Sequence, residues 1–255
     1  MTSMVADSMT MFRRDLRHLQ RFPVMTISQV ATPTIFLLLF VFVFGGALGG
    51  TGTGGRYVDY VLPGILAMSV GAGGPATAIN VNADMWGGVI ARFRTMPIAR
   101  ASVLAGQLIS SVLRTVLAVG VTLVIAVVCG ARPQAGLGGW LGVLGLVALL
   151  SFAFTWLGTA IGLTAKSEGG ANGAAVLLTF LPFLSSAFVP TQTMPAGVAW
   201  VAQHQPYTPF IDALRALLAG TPVGSSAWLA VGWCGLIAAI GYVWALAAYS
   251  RDPKR

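Results

Sequence analysis

Val116-Leu-Ala-Val-Gly-Val-Thr-Leu-Val-Ile-Ala-Val-Val-Cys129 carries no charge and a single hydroxyl over fourteen residues. Ile35–Phe44 reads the same way. Strands of a membrane barrel alternate polar and apolar residues within segments of about ten, so continuous runs of this kind exclude a barrel. Only 9% of the 255 residues are charged and 56% are hydrophobic, whereas soluble domains carry about 25% charged residues. The fold class is therefore an all-α integral membrane protein.

Working outward from that run, the same criteria give six transmembrane helices. Span one covers about Ser28 to Ala47, with Pro33 in its first turns and a Phe-rich second half. A glycine-rich loop, Gly45–Gly55, leads to span two, about Tyr57 to Asn80. Its middle, Gly71-Ala-Gly-Gly-Pro75, predicts a kink because proline removes a backbone donor. Span three runs from about Ser102 to Cys129 and span four from about Leu137 to Leu163. A polar turn, Lys166-Ser-Glu168-Gly-Gly, precedes span five, about Asn172 to Val189, which Pro182 interrupts. The segment 190–222 is too polar to span. Within it Thr208 is expected to cap a short extracytoplasmic helix, with Pro209 at its first position and Gly220 and Pro222 at its stop. Span six covers about Ser226 to Tyr249. Before span one, residues 7–22 predict an amphipathic interfacial helix, with Phe12, Leu16 and Leu19 on one face and Arg13, Arg14, Arg17 and Arg21 around it. The whole chain, 1–255, reads as one transmembrane permease domain.

The net charge of +8 suggests nucleic acid only until the basic residues are placed. They flank the apolar runs, as the positive-inside rule requires. With six spans, one side receives Arg13, Arg14, Arg17, Arg21, Arg92, Arg94, Arg100, Lys166, Arg251, Lys254 and Arg255; the other receives Arg56, Arg132 and Arg215. Both termini are expected in the cytoplasm of a plasma-membrane protein, with membrane lipid as a partner and nucleic acid excluded. Cys129 and Cys234 lie in apolar runs and read as buried small hydrophobes, not as a disulfide. The N-terminus lacks the pattern of a cleavable signal, since its first strong apolar run begins after Pro33.

One segment does not belong to a span: Asp84-Met-Trp-Gly-Gly-Val-Ile-Ala-Arg92-Phe-Arg94-Thr-Met-Pro97-Ile-Ala-Arg100. A charged helix between two spans is either an inert connector or a handle for something outside the membrane. Catalytic chemistry is scarce elsewhere. His18 and His204 fall on opposite sides of the bilayer, no serine sits in a Gly-x-Ser-x-Gly elbow, and neither Lys166 nor Lys254 follows the glycines of a phosphate-binding loop. The chain is read as non-catalytic and without a cofactor of its own, so a nucleotide driving it would be bound by another chain. Arg114 is the ionisable residue inside an apolar run, where it either faces a bundle interior or snorkels to the headgroups. The pairs Gly138/Gly142 and Gly158/Gly162 permit close helix approach, within one subunit or between two.

The segment from Asp84 through Gly87, Arg92, Arg94 and Pro97 resembles the cytosolic signature of type-2 ABC exporter permeases, in the daunorubicin/doxorubicin-resistance branch of actinobacteria. A second stretch, Gln205-Pro206-Tyr-Thr-Pro-Phe-Ile-Asp212-Ala-Leu-Arg215, is similar to that family's outer-loop motif. Asp84 stands where glutamate is common, and Gln205-Pro206 where Asn-Pro is frequent. The resemblance implies an exporter of two permeases, in a homodimer or heterodimer, and two ABC ATPase subunits that bind ATP and magnesium. It implies that 84–100 is the coupling helix, with Trp86 as anchor, Arg92 and Arg94 as complementary charges and Pro97 as its stop. The expected cargo is a hydrophobic or amphipathic compound, a drug, antibiotic or lipid. Its pathway is expected between subunits along spans one, two and five, with Phe36, Phe40, Phe180, Phe183 and Arg114 as candidate wall residues. The alternative, a standalone secondary transporter or channel, would need acids deep in the spans to couple ions, and none lies there.

Overall fold

The computed structural model describes residues 23–48, 56–86 and 100–250. The expected interfacial helix 7–22, and Gly87, Arg92, Arg94 and Pro97 of the coupling segment, lie outside the described residues. Helices are the regular structure of the described residues, and no strand occurs among them. A first rod joins α1 (Pro23–Leu38), a π-helical stretch (Leu39–Phe44) and the short α2 (Gly45–Leu48). It is followed by α3 (Tyr57–Gly71) and α4 (Gly73–Trp86), then α5 (Arg100–Val128), α6 (Leu137–Thr164), α7 (Glu168–Phe180), α8 (Ala196–His204), α9 (Tyr207–Ala219) and α10 (Ser226–Ser250).

Among the described residues, four stretches are long and apolar enough to cross a membrane: Tyr57–Trp86, Leu108–Val128, Leu137–Thr164 and Ser226–Ala248. Val30–Phe44 is a shorter apolar helix. Within an apolar window of eighteen residues in each, 78% of the first stretch is buried in the protein, against 33%, 39% and 28% for the others. The α3–α4 rod is therefore the axis of the bundle, and the others turn an apolar flank outward. Val61, Leu62, Ile65, Leu66 and Val70 of α3 are almost wholly enclosed. The expected kink falls at Ala72, the single turn residue between α3 and α4.

The axis can be buried so completely because its neighbours approach on glycine. A methyl group on Gly158 of α6 would lie 2.5 Å from the Gly74 carbonyl oxygen, and one on Gly162 would lie 2.5 Å from that of Ala78. Close backbone contact of this kind supports helix association where no hydrophobic effect separates helix from lipid. Asn82 completes the seam. Its Nδ2 donates to the Gly162 (3.0 Å) and Ala165 (2.8 Å) carbonyls, which the end of α6 leaves without helical partners. The Gly158/Gly162 pair thus packs inside one chain. Gly142 meets only the Leu217 side chain, and Gly138 meets nothing within 4 Å. A buried hydroxyl cluster ties in α5: Ser111 Oγ lies 3.2 Å from Thr77 Oγ1 of α4 and accepts from Thr155 Oγ1 of α6 at 3.1 Å.

Three expected boundaries are corrected. Span two runs on to Trp86, so Asp84 and Trp86 occupy the last turn of α4, while Arg100 opens α5. The helix of span five begins at Glu168, where the Ser167 hydroxyl accepts from the Gly170 amide (3.1 Å), and ends at Phe180, not Val189. A single 3-10 turn, Leu181–Leu184, follows, and the chain then leaves helix at the extended Ser185. Pro182 cannot donate the amide that a continuing helix needs there. In segment 190–222, α9 starts at Tyr207 with Pro206 before it, so Thr208 is no cap and Pro209 is not the first helical residue. Thr208 Oγ1 instead donates to the Ala202 carbonyl. The expected stop holds: Gly220 adopts φ 70°, and Thr221 and Gly220 amides bond back to Ala216 and Leu217.

Candidate functional site

Residues 181–188 leave the α-helix where Ser185 to Phe188 are buried in the bundle, and backbone freed there must find partners in the protein. The partners come from two places. From α3, Tyr60 Oη donates to the Ser186 carbonyl (3.1 Å) and Tyr57 Oη to that of Phe188 (3.3 Å). From the outer motif, Arg215 Nη2 donates to the same Ser186 carbonyl (2.8 Å) and Gln205 Nε2 to Leu184. Arg215 Nη1 pairs with Asp212 (2.7 Å), which also accepts from Ser186 Oγ (2.8 Å). The guanidinium stacks over the Tyr60 ring at 4.2 Å, adding a cation–π contact. Ala187 fits because Gly64 of α3 has no side chain; a methyl group there would lie 2.6 Å from Ala187 Cβ. Together these groups form a clamp on a broken helix.

The clamp presents an aromatic wall. Phe183 packs edge-on to Phe36 (centroids 5.4 Å apart) and stacks on Phe188 at 5.0 Å. Phe188 stacks on Phe40 at 4.3 Å, and Phe40 lies against Phe36 and Phe44. Phe180 extends the row from Phe183 at 6.1 Å and is 55% exposed. The wall joins the first rod to the end of α7 and carries exposed Phe44, Leu177 and Leu184 at its margin. Its faces offer large apolar area with a quadrupole that favours flat or cationic partners. Behind it, the fully buried Tyr207 donates to the Leu178 carbonyl (2.7 Å). Burial pushes its phenol well above the ordinary value, so it remains a donor.

The pattern of the ABC-2 type transporter family matches residues 7–219. The chain belongs to that family. It is 33% identical over 221 residues to a daunorubicin resistance ABC transporter permease of Streptomyces coeruleorubidus, covering 85% of this chain and 76% of that protein. It is 27% identical over 247 residues to a probable doxorubicin resistance ABC transporter permease of Mycobacterium tuberculosis, covering 93% of this chain and 88% of that one. With its long apolar helices, this is a multi-pass membrane permease, a transmembrane subunit of an ABC transporter.

Within this permease the four expected phenylalanines, Phe36, Phe40, Phe180 and Phe183, meet in one wall. Of the outer motif, Gln205, Asp212 and Arg215 meet in the clamp, with Pro206 at the start of α9. Asp84 is half-buried and Trp86 is 70% exposed at the end of α4. Arg114 is half-buried in α5, with Nε directed one turn back to the Ser110 carbonyl at 3.4 Å. Sequence reasoning missed Phe188, Tyr57, Tyr60, Ser186 and Asn82. The spacing of Tyr57 and Tyr60 put two donors on one helical face. Nothing local announced that their acceptors lie some 130 residues away, at sequence separations of 131 and 126.

Proposed function

We propose that this permease, a single domain over 1–255, exports hydrophobic or amphipathic compounds, with drugs and antibiotics foremost, using ATP hydrolysed by a separate ABC ATPase subunit. The observation that carries the reading is the aromatic wall. It is an apolar surface built where a broken helix meets the first rod, on a chain of this family, and two of its relatives bear the names of drug-resistance permeases. The wall residues Phe36, Phe40, Phe180 and Phe183 would contact cargo between two permease subunits. The clamp of Gln205, Asp212 and Arg215 would hold the wall in register.

In this reading the chain crosses the membrane six times with both termini in the cytoplasm, as its arginine distribution favours. The 23–48 rod and the 168–184 segment make the two further passes. Residues 84–100 then form the cytosolic coupling helix between spans two and three, and the helices of 190–222 lie outside. Trp86, exposed at the tip of α4, would anchor in a groove of the ATPase, with Arg92 and Arg94 against its acidic rim. Two ATPase copies, carrying ATP and magnesium, would drive two permeases. Arg114 would reach toward the cytoplasmic headgroups, the direction in which its bond to Ser110 points.

Co-purification with an ABC ATPase subunit co-expressed with the permease tests the coupling assignment. R92E/R94E is expected to weaken the association about tenfold or more, as loss of complementary interface charges does, and to abolish drug-stimulated ATP hydrolysis. Unchanged association and transport in the double variant would refute it.

A further inference from the structure

Arg56, Arg132 and Arg215 are the three basic residues that the proposed orientation leaves on the outer side. They lie far apart in sequence, yet they line one cavity of about 360 Å³. Its walls are the start of α3 with Asp59 and Tyr60, the loop after α5, and the end of α9 with Leu218. We propose that this pocket binds the phosphate of an anionic phospholipid headgroup.

The charge balance points to an anion. Asp59 is the one carboxylate lining the cavity, and it is already engaged. One oxygen accepts from the Arg132 backbone amide (2.8 Å), and the other lies 3.6 Å from Arg56 Nε. Arg215 is held by Asp212 and by the Ser186 carbonyl, so it supplies positive potential more than free donors. The Arg132 guanidinium has no carboxylate partner among the described residues, and it is exposed. Guanidinium forks bind phosphate in bidentate geometry. Arg56 is balanced by Asp59 and Arg215 by Asp212, so Arg132 leaves the pocket with one uncompensated positive charge.

The pocket is also built in advance. The loop that carries Arg132 is pinned at both sides, by its amide on Asp59 and by the Gln134 amide on the Leu218 carbonyl (2.7 Å). The left-handed Gly220 lets that loop come close, since a methyl group there would sit 2.8 Å from the Gln134 carbonyl oxygen.

Its depth selects a lipid over a free anion. The loop is bracketed by Val128, 81% exposed, at the end of α5 and by Leu137, 87% exposed, at the start of α6. Leu141 and Leu144 continue the exposed aliphatic surface along α6. Apolar side chains exposed on a membrane-spanning helix face acyl chains, so the residues between them lie at headgroup level. Basic pockets between spans at that level suit anionic headgroups. Only the assignment to the outer leaflet rests on the orientation proposed above; the site itself rests on the geometry.

The test uses the full chain in a neutral detergent, with lipid binding followed by native mass spectrometry. Phosphatidylglycerol should bind with one-to-one saturation. Phosphatidylcholine with the same acyl chains, and inorganic phosphate, should compete at least about tenfold less well. R56Q/R132Q should lose about tenfold or more in phosphatidylglycerol affinity, and R132Q alone a smaller share. K254Q/R255Q, which removes the same charge elsewhere, should retain this binding. Thermal unfolding of each variant without lipid checks that it is folded, and R132Q disturbs no ion pair among the described residues. Equal binding of the two lipids, undiminished binding in R56Q/R132Q and R132Q, or effective competition by inorganic phosphate would each overturn the proposal. No ATPase is present in the assay, so its failure leaves the exporter reading standing, and a failed ATPase association leaves the lipid site standing.

Discussion

The seam between α4 and α6 makes a graded prediction. Alanine at Gly162 would place a methyl group 2.5 Å from the Ala78 carbonyl oxygen and 2.9 Å from Val81 Cβ. At Gly158 the distances are 2.5 Å to the Gly74 oxygen and 3.2 Å to Thr77 Cβ. These obstacles are backbone, or atoms fixed to it, so the helices must separate. A gap of about 0.5–1 Å forfeits a quarter to a half of each dispersion contact along the seam, and overpacking of this kind costs about 1–3 kcal/mol. At Gly162 the separation also stretches the 3.0 Å bond from Asn82, which places G162A in the upper half of that range. At Gly142 the obstacle is the tip of Leu217, 3.0 Å away and free to rotate, so G142A should be nearly neutral. G138A meets nothing within 4 Å and should gain up to about 1 kcal/mol of helix propensity. For a chain of this size each kcal/mol moves the melting point about 2–4 °C. The assay is thermal unfolding in detergent, read by labelling of the buried Cys234 with a thiol-reactive dye. The expected order of stability is G138A, G142A, G158A, G162A, with the last roughly 5–10 °C below the wild type. If G162A melts together with G138A, α4 and α6 are not packed along this face. If the glycine variants instead lose dimerisation with unchanged melting, the pair serves contact between subunits.

Two further substitutions probe the polar joints. N82L removes two bonds to the end of α6 from a fully enclosed site and should cost about 1–3 kcal/mol. N82D should cost more, because a buried carboxylate would face the same carbonyls; an N82D protein as stable as the wild type would contradict the geometry. At the clamp, R215Q should destabilise by about 1–2 kcal/mol, below the value for a fully buried charged pair because both side chains keep some solvent. A cycle with D212N should show coupling between the two positions, and strictly additive effects would dissolve the clamp.

The positions of the helices were largely legible because the bilayer sets a simple rule: continuous apolar length reads as span. Val116–Cys129 and Leu137–Leu163 fall in observed helices with ends within a few residues of expectation. The break at Ala72 was visible in Gly71–Pro75. The interruption of span five at Pro182 was visible too, but not that the helix fails to resume, because the apolar run continues through Pro182 to Val189 while the helical backbone does not. Periodicity reports the burial of side chains, whereas this boundary is set by where carbonyls find donors, and those donors belong to Tyr57, Tyr60, Gln205 and Arg215.

By itself, then, the sequence determined an all-helical membrane chain, the family to which its two motifs belong, and the phenylalanines worth watching. Tertiary structure alone decided that Gly158 and Gly162 pack within the chain and that the outer motif clamps residues 181–188. It also gathered Arg56, Arg132 and Arg215 around one cavity. The division has one physical cause. Transfer into a bilayer is a local property, summed along a few turns of chain, but satisfying a broken helix or concentrating charge depends on groups brought together from opposite ends of the sequence.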